Sequence, residues 1–217
     1  MTGSPVWLNF IERKLPWIRG IAIPRIGFLL VTLQALGFLF ISMNPLWLER
    51  LALIPHEVLE NKEYWRLVTL LSLPISDSPI WAFFALWFLF TIVEAIEGVW
   101  GDFRTTFFLL ISWSVTIAYS LTTGYTVTRA TDFESMLFLA GATLFPEAEA
   151  SLFFIMPIKW KWLGGFTALL QIIQFIRGDW GDRGYLLAIF SSYLLFFGPA
   201  ALDRIKNYYR RRNWNRR

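Results

Sequence analysis

The sequence predicts an all-α polytopic membrane protein of six helical segments, with a membrane-embedded first loop and a short central fourth helix. Three observations carry that expectation. The 217-residue chain is 56% hydrophobic and only 17% charged, where an ordinary soluble domain carries about 25% charged residues. Its mean hydropathy is +0.49, and its charges are segregated, so long intervals are almost free of them. One of those intervals is too short to cross lipid unaided.

Residues 1–25 read as an interfacial amphipathic segment. Trp7, Phe10, Leu15 and Trp17 alternate with Glu12, Arg13, Lys14 and Arg19, as a helix lying in the headgroup layer requires. No secretory cleavage site is expected before the first long apolar run. Ile26 to Met43 is the first span, stopped by Asn44-Pro45. Its eighteen residues rise about 27 Å, close to a hydrocarbon core of roughly 30 Å.

Pro45 to Pro79 is too long for a turn and mixes Glu49, Arg50, Glu57, Glu63 and Arg66 with Trp47, Leu51, Tyr64 and Trp65. Such mixing predicts short helices half-sunk in the bilayer surface. Ile80 to Val93 is the second span, with Glu94 at the membrane edge as a hydrogen-bonding group for nearby backbone amides. Thr105 to Leu121 is the third, and its Thr and Ser residues predict a face packed on other helices.

The fourth segment, Phe133 to Phe145, covers only about 20 Å. Ala140, Gly141 and Ala142 give it a small face for close packing. Trp160 to Ile176 is the fifth span, with Lys159, Trp160, Lys161 and Trp162 as interfacial anchors. Tyr185 to Leu202 is the sixth. The membrane domain is thus expected over 26–203, followed by a basic tail over 204–217 that contacts anionic lipid. Nucleic acid is not an expected partner.

Six spans place both termini on one side. Fourteen of the twenty Lys and Arg residues fall on that side, and the positive-inside bias makes it cytoplasmic. The host is then a bacterial inner membrane or an organelle membrane. No feature of the sequence specifies an oligomeric state.

The order of these segments resembles the rhomboid-like superfamily, derlins and inactive rhomboids in particular. Tyr64-Trp65-Arg66-Leu67-Val68-Thr69 resembles the Trp-Arg motif of that family's first loop. VEAIEGVWGDFR, residues 93–104, is similar to its Glu-then-Gly connection into the third helix, matched here by Glu94 and Gly98. FPEAEASLFFIMPIKWKWL, residues 145–163, resembles the derlin stretch in which an acidic break precedes paired phenylalanines, a basic residue and an aromatic re-entry. The resemblance covers about residues 60 to 200.

An active rhomboid protease is expected to hold a Gly-x-Ser-Gly serine on the short helix, a histidine on the sixth helix and oxyanion donors near the second. Asp132-Phe133-Glu134-Ser135 stands at the first position without either glycine, so Ser135 is the one weak catalytic candidate. The sole histidine is His56, in the outer loop, and Gly181-Asp182-Arg183-Gly184 stands where the base belongs. No asparagine occurs between Asn61 and Asn207. Nucleophile context, base and oxyanion donors fail together. Glu134, Glu147 and Glu149 do not form a spaced acid/base pair, and one histidine with scattered acids does not compose a metal site. Asp132 and Glu134 are expected to meet Arg129 in a structural ion pair. No cofactor is implied, and the absence of cysteine excludes disulfides and thiolate chemistry.

The resemblance therefore implies a non-catalytic, pseudoprotease-type protein that binds transmembrane segments of clients and locally thins the bilayer. In that reading Ile80–Val93 and Leu163–Ile176 face the client, while Trp65 and Arg66 support the loop. A protease with an unconventional site near Ser135 is the second expectation, and a small transporter or channel the third.

Overall fold

A computed structural model describes residues 8, 12–14, 16–152 and 156–214. The protein is predominantly helical. Among the described residues, three stretches are long and apolar enough to cross a bilayer: Trp17–Met43, Pro79–Trp100 and Asp102–Thr123. Many large apolar side chains point outward, Phe28, Leu39, Trp87 and Ile176 among them. A lipid surround accounts for that exposure, since a water-soluble monomer rarely shows so extensive an apolar surface.

Helix α1 (Ile26–Met43) follows a 3-10 turn at Pro16–Ile21 and coincides with the first apolar interval. Of the interfacial segment, Trp7, Phe10 and Leu15 lie outside the described residues. Leu8 is fully buried and Trp17 exposed. Glu12 receives the Arg104 guanidinium at 2.7 Å and that of Arg19 at 3.5 Å. These hydrogen bonds, Arg104's foremost, hold the Glu12 carboxyl below its ordinary value. The segment is thereby tied to the start of the third long helix.

The first loop is built of short helices: α2 (Leu46–Leu51), α3 (Pro55–Leu59), α4 (Arg66–Thr69) and a 3-10 turn at Leu70–Ser72. Three devices fix it. Leu53 and Val127 exchange backbone hydrogen bonds of 3.0 and 2.9 Å. The Trp113 indole donates to the Leu67 carbonyl at 2.7 Å. Gly37 of α1 lies so close that a Cβ there would sit 1.8 Å from the Ser72 carbonyl oxygen.

Helix α5 (Pro79–Trp100) is longer than the second apolar interval, running seven residues past Val93. Glu94 to Val99 contains strong helix formers, so a lone carboxylate does not stop it. The stop is Gly101, whose φ of 77° suits glycine. Gly101 alone links α5 to α6 (Asp102–Thr123). The connector expected at Gly98 therefore belongs to Gly101, and Gly98 is an exposed helical residue with open space beside it. On α6, Thr105, Thr106, Ser112, Thr116 and Ser120 are all buried, and Ser112 and Thr116 donate to the carbonyls four residues back.

Helix α7 (Thr131–Leu144) is fourteen residues long, about 21 Å, and packs against α5, α8 and α9. A two-stranded antiparallel ribbon follows, β1 (Glu149–Leu152) and β2 (Met156–Lys159), with Glu149 opposite Lys159. The expected acidic break and aromatic re-entry is thus a hairpin, and the paired phenylalanines 153 and 154 lie outside the described residues. Helix α8 is Trp160–Arg177. Helix α9 is Trp180–Trp214 and carries Pro199 inside it. The separate tail expected from residue 204 is therefore helical to Trp214. Proline removes one backbone donor, but the Ala, Leu, Arg and Lys residues beyond it favour helix.

The end of the bundle where α5 turns into α6 is closed by aromatic rings. Trp100 stacks on Phe197 at 5.2 Å, and Phe108 meets Phe196 edge-on at 4.9 Å. These rings join the end of α5 to α6 and α9.

Candidate functional site

Helices α5 and α8 both lie on α7, and small residues set how closely. A Cβ at Gly164 of α8 would stand 2.5 Å from the Ala142 Cβ, and one at Gly141 would stand 2.9 Å from the Trp160 ring and 3.0 Å from Ile92. Ala140, Gly141 and Ala142 are all buried at this crossing. Trp160 is only 5% exposed and packs on Phe145 at 5.8 Å and Phe88 at 6.1 Å. It is a core residue, not the interfacial anchor its position in the sequence implied. Trp162, 70% exposed, is the outward-facing ring of that pair.

A cavity of about 210 Å³ opens along this crossing. Ala85, Phe88, Leu89 and Ile92 of α5 form one wall, Thr131, Glu134, Ser135 and Phe138 of α7 the floor, and Thr167 of α8 contributes from the other side. Elsewhere on their surfaces the two helices carry large exposed apolar side chains, Phe83 of α5, 57% exposed, and Phe166 of α8, 60% exposed, among them. The site is an apolar groove with a few polar atoms at its base.

Glu134 is buried, and its Oε1 accepts the Gln34 side-chain amide of α1. Asp132 accepts the Gln171 and Gln174 amides of α8 at 3.4 Å each. Neither carboxylate pairs with Arg129. Glutamine amides replace the expected ion pair because they partner a carboxyl group without bringing a second charge into the low-dielectric interior. The three glutamines went unread in the sequence. Their signal was available, since Gln34 interrupts an apolar span and Gln171 and Gln174 lie one helical turn apart.

Ser135 is part-buried on the second turn of α7 and lines the cavity. His56 stands on α3 with Nδ1 3.0 Å from Glu60, so it is not a base for Ser135. Asp182, where a sixth-helix histidine was sought, accepts the Tyr125 hydroxyl at 2.8 Å. That bond and burial, with burial the larger cause, push the Tyr125 phenol up. Gly184 allows close approach to Tyr119 of α6 rather than to Ser135, since a Cβ there would lie 2.2 Å from the Tyr119 hydroxyl. The arrangement can hold a hydrogen-bonding group at the groove floor but offers the serine no aligned proton acceptor. Among the described residues no group of three His, Cys, Asp or Glu side chains can hold a metal.

Arg66 is 5% exposed and forms the hub of the first loop. Its Nε donates to Glu63 at 2.6 Å, and Nη1 donates to the carbonyls of Glu49 and of Ala52, the latter at 2.8 Å. Trp65 beside it is exposed. Glu94 is likewise exposed, and the carboxylate that accepts backbone amides is Glu97, taking the Arg25 N–H at 2.7 Å. Glu97 lies one turn further along α5 because that helix continues past Val93.

Lys159 and Lys161 both donate to Glu147, at 2.9 and 2.7 Å. These bonds, with that from Lys161 the larger cause, hold the Glu147 carboxyl down at about 2. A carboxyl lowered on folding adds stability that is complete above its unfolded value of 4.5 and is lost as pH falls toward about 2. Acidification across that window is expected to lower the protection of the Trp160 and Lys161 amides relative to their intrinsic exchange rates, since their N–H groups bond the Ala148 and Pro146 carbonyls. Glu147→Gln should remove this pH dependence. Exchange that follows only intrinsic chemistry in the parent chain would contradict it.

No family model, curated protein or solved structure matches this chain.

Proposed function

We propose that this is a multi-pass, rhomboid-like membrane protein without protease activity, which binds transmembrane segments of client proteins in the groove between α5 and α8. The observation that carries this reading is the groove itself. Two helices with exposed apolar outer residues flank a cavity whose floor is a helix too short to span lipid, with Glu134 and Ser135 at its base. An incoming helix would exchange lipid contacts for packing on the small-residue crossing and for one or two hydrogen bonds, which are the terms that drive helix association in bilayers. The short α7 also favours local thinning, because a mismatch with the roughly 30 Å core is relieved by drawing the bilayer in. At twenty-two residues, α5 adds nothing to that effect. In this reading all six segments are embedded, both termini are cytoplasmic, and the basic residues after 203 meet anionic lipid.

A photoreactive amino acid at position 85 or 167, on the cavity lining, incorporated in native membranes, is expected to crosslink single-span proteins far more than one at Leu29 on the exposed face of α1. Trp65→Ala should lower that yield. Equal crosslinking from all three positions, with no effect of Trp65→Ala, would sink the proposal.

One observation favours a second reading, a hydrolase with an unconventional site: Ser135 lines the cavity next to Glu134. Fluorophosphonate labelling that vanishes in Ser135→Ala would support it, and no labelling in detergent or membranes would remove it.

A further inference from the structure

A second cavity, of about 460 Å³, lies in the first loop and is lined by Trp47, Arg50, Leu51, Glu63, Trp65 and Thr69. We infer that it holds one zwitterionic phospholipid by its headgroup, with the phosphodiester on Arg50 and the ammonium between Glu63 and Trp65.

The placement comes first. Leu46, Leu48 and Val68, on the short helices that contribute the cavity lining, have exposed apolar side chains, and Tyr64 and Trp65 are exposed as well. Short amphipathic helices with such a mixture rest at headgroup depth. Any occupant of the cavity is therefore drawn from the layer of phosphates and amines around it.

The charges then define the occupant. Arg50 is exposed, with its guanidinium 5.4 Å from the Trp47 ring centre. Stacking on the ring fixes the plane of the guanidinium and leaves its edge for a phosphate, which Arg binds with two parallel hydrogen bonds. Glu63 brings a carboxylate to the same cavity, and its partner Arg66 faces the protein interior. An anionic headgroup would bring its charge toward Glu63, whereas an ammonium gains both the carboxylate and the face of an indole. The floor is already satisfied, since the Thr69 hydroxyl donates to the Leu51 carbonyl at 3.1 Å. Recognition therefore rests on the two charges and the two indoles at the rim.

The test is native mass spectrometry of the full chain released from nanodiscs containing equal amounts of phosphatidylethanolamine and phosphatidylglycerol. The expected result is at least about fivefold greater retention of the zwitterionic lipid, lost in Arg50→Gln and partly kept in Arg50→Lys. Glycerophosphoethanolamine, which has the same phosphodiester and amine without acyl chains, should fail to displace the lipid. Equal retention of the two lipids, or unchanged retention in Arg50→Gln, overturns the inference. So does displacement by the soluble headgroup at matched concentration, which would assign the cavity to a water-soluble phosphodiester. Arg50 is exposed, so Arg50→Gln should keep the parent helicity. If its circular dichroism differs, Arg50→Lys against parent supplies the comparison, and identical retention in those two overturns the inference equally.

Discussion

Gly37→Ala should destabilise the protein by about 2 kcal/mol or more, despite alanine's better helix propensity. The added Cβ would fall 1.8 Å from the Ser72 carbonyl oxygen, so backbone must move. Overpacking typically costs about 1–3 kcal/mol, and a clash with main chain falls at the upper end. The helix-propensity gain, up to about 1 kcal/mol, offsets only part of it. Gly98→Ala is the matching control, because a Cβ there meets nothing within 4 Å. It should be neutral or stabilising by about 0.5–1 kcal/mol. Thermal unfolding in detergent reads both. A Gly37→Ala midpoint equal to or above that of Gly98→Ala would show that the loop is not pinned on α1 at this point.

Arg66→Ala carries the second large effect. Its removal leaves the carbonyls of Glu49 and Ala52 and the carboxylate of Glu63 without their donor. Breaking a buried pair costs about 3–5 kcal/mol. The Glu63 side chain keeps 25% of its exposure and can turn partly to water, so the lower figure, about 3 kcal/mol, is expected. Lysine at the same position has one nitrogen and cannot serve Glu63 and both carbonyls in the same geometry, so Arg66→Lys should fall between. Hydrogen exchange across residues 46–72 should rise in the alanine variant before the long helices are affected. Protection in that loop equal to the parent's would refute the hub role of Arg66.

Bounds that depend on local chemistry were legible in the sequence. Helix α1 begins and ends where its apolar run does, because Asn44-Pro45 stops it on one side and Arg25 with Pro24 bounds it on the other. Helix α8 starts at Trp160 as read, and the fourth segment is short as read. Helix and apolar interval part company where a charge or a proline ends the interval but not the helix. The second apolar interval ends at Val93, although the helix runs seven residues further, to Trp100, before Gly101 turns the chain. The sixth apolar interval ends at Leu202, three residues past Pro199, although α9 continues to Trp214. The hairpin was hidden because residues 149–159 have the composition of an interfacial coil and owe their strands to each other. The site was least legible of all. Gln34 and Glu134 are one hundred positions apart, and nothing local in the sequence announces that they meet.

Gly101 has a mechanical consequence. A single residue between α5 and α6 leaves no slack, so the two helices tilt as one body. That body is further held by α1 and by the ring stack at Trp100. One side of the groove is thus a fixed jamb.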